Sequence, residues 1–347
     1  MRNGLYEEAV RRFESLPFPG GADEHWRFAN LKFWGKEIRG LVSLPEKGDC
    51  RFEEAKDEVS ARFYDSLLKG GKFDALAAMA FCSRSLTRVP AGGRLKIDAD
   101  FAGLANVFIV EDGAELEIFR SHDFEDGAFW IEANCFALGR GAKLSVNTHF
   151  TSGAASPRYS RNDFYLSEGA RVTDVFVENG RSNTRAERNF HLEGGSARAD
   201  VFALLDCRGG ITHDFRSSQI HSSGGAHSNL KVKNILSDVS RSAFTGLIRV
   251  EGGAQKTEAY QSCRSLLLSP SAKSGASPVL EIMANDVLCS HGCAVARPDK
   301  DQLFYMKSRG LPGRTADRLL VSGFANEVLD MFADPIFAER VRAAIQK

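Results

Sequence analysis

Three side chains near the C-terminal end of this chain have the types and spacing for soft-metal chemistry. In VLCSHGCAVA, Cys289, His291 and Cys293 stand at i, i+2 and i+4. On an extended strand that spacing puts all three on one face. Thiolate and imidazole are ligands that iron, zinc and copper prefer. Three donors on one strand leave a site incomplete, because structural zinc and cluster sites usually take four, so the rest would come from another segment or another subunit. The competing reading is that one or both thiols only fill space, since free cysteine packs as a small hydrophobe.

Other polar residues point less sharply. His213 and His221 lie in ITHDFRSSQIHSS, and His149, His191 and His227 lie near equivalent turns of the repeat described below. Stacking or hydrogen bonding is the simpler role for them. Asp206, Cys207 and Asp214 add polar groups without an acid/base spacing. The chain has no G-x-S-x-G elbow, no Gly-rich loop ending in GK[ST] and no H-E-x-x-H, which argues against nucleotide hydrolysis by this chain itself. The 45 basic and 45 acidic residues cancel, so neither nucleic acid nor an anionic membrane is the expected partner. No apolar run approaches the roughly 18 residues of a membrane span. The N-terminus resembles neither a secretory signal nor a transit peptide. Seven cysteines, an odd number spread over 347 residues, fit reduced thiols, and the expected location is the cytoplasm.

Three regions must position these side chains. Residues 1–97 read as mainly helical. Leu5, Val10, Phe13 and Leu16 form one stripe, and Phe63, Leu67, Leu68, Phe73, Leu76 and Met79 form another. Between them Trp26, Phe28, Leu31, Phe33 and Trp34 form a lid over a core or a docking face, with the lid preferred. Residues 98–297 carry a repeat: an apolar pair followed by Gly-Ala, as in FIVEDGA, FALGRGA and FYLSEGA. Ala114, Ala142, Ala170, Ala197, Ala226 and Ala254 recur about every 28 residues, and no interval departs from that by more than one position. A unit of that length cannot bury its own apolar face, so a solenoid of stacked turns is the economical fold. Phe108, Phe136, Phe164, Phe190, Ile220 and Ile248 would form one internal ladder. Gly113, Gly141, Gly169, Gly195, Gly225 and Gly253 would take equivalent corners, where positive φ or tight stacking excludes a Cβ. An antiparallel sandwich explains the alternation but not the fixed period. Residues 298–347 return to helical patterns, with Leu319, Leu320, Phe324, Val328, Leu329 and Phe332 on an apolar face that either caps the solenoid or takes a partner.

At this point the chain resembles the SufB/SufD family of iron–sulfur cluster assembly proteins, more closely its SufD branch. The motifs that carry the resemblance are FTGLIRVEGGAQKTEAYQSCRSLLLS (244–269), SPVLEIMANDVLCSHGCAVA (277–296), DQLFYMKSRGL (301–311) and LLVSGFANEVL (319–329), with weaker ones at GITHDFRSSQIHSSGGAHSNLKVKNIL and HWRFANL. The resemblance implies a mainly β protein, a right-handed parallel β-helix between helical ends, which agrees with the solenoid read from the repeat. It implies a non-catalytic scaffold subunit that pairs with a SufB-like subunit and docks a SufC-like ATPase through the region of Leu319, Phe324, Val328 and Leu329. It also makes His291 the residue that assists nascent cluster formation at the SufB contact. Cys289 and then Cys293 are further candidate ligands.

Where SufB-like chains carry an assembly cysteine in a PYIEC-like segment, this chain has Ile282; where SufD-like chains usually read CSHGATVG, it reads CSHGCAVA. The cluster is expected as a transient cargo shared with a partner chain, not held stably by the isolated chain, which would pair with itself when alone. Two other functions remain open on the sequence: a polysaccharide-active β-helix enzyme, and a structural adaptor whose cysteines never touch metal.

Overall fold

The computed structural model describes residues 4–345 apart from 22, 24–25, 27–28, 37–38, 40–57, 99–104, 125–126, 128 and 154–155. Phe28 of the aromatic lid lies outside the described residues. Helices α1 (Leu5–Ser15), α2 (Leu31–Gly35), α3 (Glu58–Lys69) and α4 (Lys72–Phe81) come first. A first group of strands follows: β1 (Ser85–Val89), β2 (Arg94–Asp98), β3 (Ala105–Val110), β4 (Glu115–Phe124), β5 (Trp130–Leu138), β6 (Lys143–Ser152), β7 (Arg158–Leu166) and β8 (Arg171–Gly180). The remaining strands are β9 (Thr184–Leu192), β10 (Arg198–Cys207), β11 (Thr212–His221), β12 (His227–Leu236), β13 (Arg241–Val250), β14 (Thr257–Leu267), β15 (Lys273–Ile282) and β16 (Val287–Ala296). Then come α5 (Lys300–Ser308), α6 (Gly313–Leu329) and α7 (Pro335–Ile345).

The odd-numbered strands form one eight-stranded sheet and the even-numbered strands another, each strand parallel to the next of its sheet. Each turn of the resulting β-helix therefore contributes one strand to each sheet. Side chains alternate between the enclosed interior and the outer faces. Phe108, Phe136, Phe164 and Phe190 stack in the interior, with centroids 5.0, 4.5 and 4.6 Å apart and rings within 7° of parallel. Stacked aromatics at the strand spacing bury large apolar area while fixing the register.

That ladder continues differently from the sequence reading. Phe190 is in register with Gln219, and Gln219 with Ile248, so Ile220 faces outward beside His191 and Arg249. The cause is the corner length. The corner from Leu192 to Ala197, like that from His221 to Ala226, is one position longer than the corner from Leu166 to Ala170, and a single extra position is enough to exchange the two faces of a strand. At the corners, Gly113, Gly141, Gly169 and Gly225 adopt positive φ as expected. In the fourth repeat the left-handed residue is Ser196 in place of Gly195, and Gly253 has no such conformation.

The interior also holds ionic groups. Arg120 forks onto Glu132 at 3.1 and 2.5 Å, Arg188 Nη1 is shared by the two carboxylate oxygens of Asp174 at 3.1 and 2.9 Å, and Arg158 pairs with Glu178. Asn106 donates to Asn134 at 2.8 Å, and the Asn134 and Asn162 amides meet at 3.0 Å. Each charge has its countercharge, which is the condition for burial; removing one partner of such a pair costs about 3–5 kcal/mol.

Helices cover the two outer faces, not the ends. α3 and α4 bury Phe63, Leu67, Phe73 and Leu76 in one cluster with Val107, Cys135 and Tyr159 of the odd sheet. Trp26, Phe33 and Trp34 join that cluster and are buried, as a lid would be. α6 and α7 place Val328, Leu329, Phe337 and Val341 against Phe119, Val175, Leu204 and Ile235 of the even sheet. The C-terminal helices therefore lie along the flank of the β-helix and do not cap its end.

Several histidines are held by neighbours. His191 stacks on Tyr165 at 4.5 Å, and the His149 ring nitrogen meets Asn179 at 2.7 Å. His221 points into the interior, where its Nε2–H donates to Ser228 Oγ at 2.9 Å while Ser228 donates to Gln219 at 2.7 Å. Burial, with the nearby His227 adding to it, holds the His221 imidazole down at about 4. The unfolded chain then binds a proton near pH 6.5 that the folded chain refuses until about pH 4. The associated stability, on the order of 3 kcal/mol, is complete above pH 6.5 and is lost as pH falls towards 4. His221→Leu, matching its ladder neighbours Leu192 and Val250, should remove about one proton from the pH dependence of unfolding in that window. Urea melts at several pH values check this; an unchanged slope contradicts it.

Candidate functional site

The last turn of the β-helix is built from β15 and β16, and each has a partner on one side only: β15 pairs with β13, and β16 with β14. On the other side no described strand follows, so a row of backbone donors and acceptors is left on each edge.

β16 carries the three soft donors. Its register places Cys289 beside Ala259, His291 beside Gln261 and Cys293 beside Cys263. Ala259, Gln261 and Cys263 are buried inward residues, so Cys289, His291 and Cys293 share the inward line of the final turn. Because no further turn covers them, His291 and Cys293 are exposed and Cys289 is half-buried. Cys289 packs against the cluster of Ile248, Val250, Ala254, Ala259 and Ala284. Across the turn, Pro278, Leu280 and Ile282 of β15 continue the lines of Gly246, Ile248 and Val250. Ile282, where the resemblance places the SufB-like cysteine, thus closes the inward line of its strand at the same open end.

The turns behind this end keep buried Phe215 and Phe244 but add polar groups to the interior. Asn234 donates to Ser265 at 3.0 Å and to Cys263 Sγ at 3.4 Å, and Ser274 meets both Ser265 at 2.7 Å and Ser242 at 2.8 Å. Gln261 lies between the Gly246 and Val279 carbonyls at 3.4 and 3.5 Å. Sequence reasoning did not single out Asn234, Gln261 or Cys263. The signal was present, since the separation of Cys263 from Cys293 is close to one period of the repeat.

Burial raises the thiol pKa of Cys289 and of Cys293, and pushes Cys263 up to about 12. The protonated thiol is therefore the resting form, and any metal taken by these groups must displace protons. Residues two apart on a strand stand roughly 7 Å apart, too far to share one ion without help. Among the described residues, no three His, Cys, Asp or Glu side chains converge into a metal-binding group.

The C-terminal residues read as a partner face divide. Leu319 is 50% exposed on α6, and Phe324 is half-buried beneath the Lys233 ammonium, 4.2 Å from its ring. Val328 and Leu329, however, are 0% and 1% exposed. Their apolar side chains are already used in docking α6 onto the even sheet, so they present nothing to a partner. Exposed apolar side chains in this region are Phe304 and Tyr305 on α5, Leu319 on α6, Met331 beyond it and Ile336 on α7. No helix among the described residues is long and apolar enough to cross a membrane.

Comparison with known proteins gives a consistent set of relatives. A family model described as SUF system FeS cluster assembly, SufBD core domain, matches residues 98–324. The chain is 32% identical over 190 residues to the iron–sulfur cluster assembly protein SufD of Escherichia coli (strain K12), covering 55% of this chain and 45% of that protein. To SufD of Bacillus subtilis (strain 168) it is 33% identical over 148 residues, 43% of this chain and 34% of that protein. An iron–sulfur cluster assembly SufBD family protein of Mycobacterium leprae (strain TN) is 25% identical over 363 residues, 96% of this chain and 91% of that protein. The chain thus spans less than half of the two SufD proteins and nearly all of the mycobacterial one.

The geometry makes a direct statement about thiol access. In the native chain Cys289 and Cys293 should react with a maleimide well before Cys82, Cys135, Cys207 and Cys263, which are buried. Timed labelling with peptide mass spectrometry checks the order; fast labelling of Cys207 contradicts the enclosed interior.

Proposed function

This chain belongs to the SufB/SufD family, on its SufD side, and from that premise we propose that it is a non-catalytic scaffold subunit of an iron–sulfur cluster assembly complex. The observation that carries the reading is the open last turn, which offers His291, Cys289 and Cys293 on its inward line and two unpaired strand edges beside them. An incomplete donor set next to unpaired edges suits an interface in which a second chain supplies both the missing ligands and the missing backbone bonds. The second chain in this reading is a SufB-like subunit, and the nascent cluster is cargo passed through the interface. The isolated chain keeps no cluster of its own and pairs with itself through the same edges when no partner is present.

His291 is the central donor. It lies between the two cysteines in sequence, is exposed, and stands over the polar Gln261 and not over an apolar ladder. Its imidazole is a nitrogen ligand that iron accepts, whereas each of the flanking thiols must first give up a proton that burial helps it keep. Cys289 and Cys293 flank it as secondary donors. A SufC-like ATPase docks at the C-terminal helices, where Leu319, Phe304 and Tyr305 supply exposed apolar area while Val328 and Leu329 hold α6 in place from below. The complex works in the cytoplasm.

The test is co-expression of this chain with SufB-like and SufC-like partners. His291→Ala should leave the complex intact and lower cluster yield, read from absorbance and iron and sulfide content, by at least about tenfold, the scale on which even outer-sphere changes at metal sites are felt. Unchanged yield from an intact complex overturns the role of His291. A Cys289, His291 and Cys293 triple variant that still gives full yield would leave only a structural adaptor. In a separate measurement, Leu319→Asp should reduce co-purification of the ATPase while the SufB-like subunit stays bound. Equal recovery of both contradicts the docking face.

A further inference from the structure

Cys263, behind the open end, is a thiol whose chemistry the assembly reading does not use. It is 1% exposed, faces the interior of β14, and receives the Asn234 amide at 3.4 Å. Its register partner on β16 is Cys293, on the same inward line and exposed. Directly paired residues of neighbouring parallel strands have Cα atoms about 4.8 Å apart. That lies inside the range of roughly 4.4–6.8 Å over which two cysteines can be bridged. We propose that Cys263 and Cys293 form a reversible disulfide, made by exchange with a small-molecule disulfide, that staples the last strand of the β-helix to the strand behind it.

The two thiols sense each other as neighbours, since a charge on Cys293 contributes to the raised pKa of Cys263. Access fixes the order of events. The exposed Cys293 thiol loses its proton and its sulfur attacks one sulfur of the small disulfide, RSSR. A Cys293–SR bond forms, the S–S bond of the reagent breaks, and RS⁻ leaves and takes up a proton. Cys263 then loses its proton and attacks the Cys293 sulfur from behind, expelling the second RS⁻, which is protonated in turn. Two protein thiols are oxidised and RSSR is reduced to two RSH, so electrons and protons balance. Buried Cys263 cannot meet the reagent first, and Gly292, with no atom within 4 Å of where a Cβ would stand, leaves the backbone beside Cys293 room to adjust.

Cys289 is the built-in control. Its register partner is Ala259, and four residues of strand put it roughly 13 Å from Cys293, beyond any bridge. The proposal does not depend on a role in cluster assembly. If that role holds, the staple has a consequence for it, because closing the bridge withdraws Cys293 from the donor set and leaves Cys289 and His291.

The experiment treats the purified full-length chain with oxidised glutathione, blocks remaining thiols with N-ethylmaleimide, and maps peptides by mass spectrometry. The expected product is a linked pair of peptides carrying Cys263 and Cys293, with two thiols lost per chain and recovered on adding dithiothreitol. Cys293→Ser should abolish the link and leave Cys263 reduced. Cys263→Ser should leave Cys293 as a lasting glutathione adduct. Three results overturn the proposal: Cys293 of the unaltered chain remaining as the glutathione adduct, Cys293 joined to any other cysteine or to a second chain, or no loss of thiols at the Cys263 peptide.

Discussion

Parallel stacking in register is the constraint on which this protein depends. Every strand of the β-helix takes its backbone partners from the turn before and offers the same groups to the turn after, so the fold satisfies itself everywhere except where it stops. Inside, the same rule makes each side chain rest on its equivalent one turn away: phenylalanine on phenylalanine through Phe108, Phe136, Phe164 and Phe190, and asparagine on asparagine through Asn106, Asn134 and Asn162. The arginine–carboxylate pairs obey it too, since each bridges the two sheets within the enclosed interior with its countercharge present.

The constraint also explains where the helices go. Both sheets expose an apolar outer face, and the N-terminal and C-terminal helices each cover one of them. Neither group covers the final turn. In the turns leading to it, polar Gln219, His221, Ser228, Asn234 and Gln261 and the Cys263 thiol join the stacked Phe215 and Phe244 in the interior, and the inward line of the last strand ends on Cys289, His291 and Cys293. A polar, sulfur-bearing end with unpaired edges is a poor terminus for an isolated chain and a suitable one for a chain completed by another.

Much of this was legible in the sequence because a fixed repeat period leaves a mark that single motifs do not. The solenoid, its phenylalanine ladder through Phe190, and the shared face of Cys289, His291 and Cys293 all follow from spacing alone. What failed did so for physical reasons. The apolar pattern favours Ile220 for the interior, whereas the longer corner turns Gln219 and His221 inward. An apolar helical stripe such as that of Val328 and Leu329 looks the same in sequence whether it docks on its own β-helix or on another chain, and here it docks on its own. Gln261 and Cys263 went unnoticed because their role is set by register one turn away, which appears only when strands are paired. The resemblance to the SufB/SufD family added the partner chains and the emphasis on His291, neither of which periodicity could supply.

The central claim is that the unpaired last turn is an interface completed by a SufB-like chain. Amide hydrogen exchange on this chain, alone and in complex with that partner, tests it most directly. The account predicts that β15 and β16, including the amides around His291, gain the largest protection on complex formation while the middle strands β5 to β10 stay unchanged. Protection confined to other surfaces, with β15 and β16 exchanging as fast in the complex as alone, would contradict it.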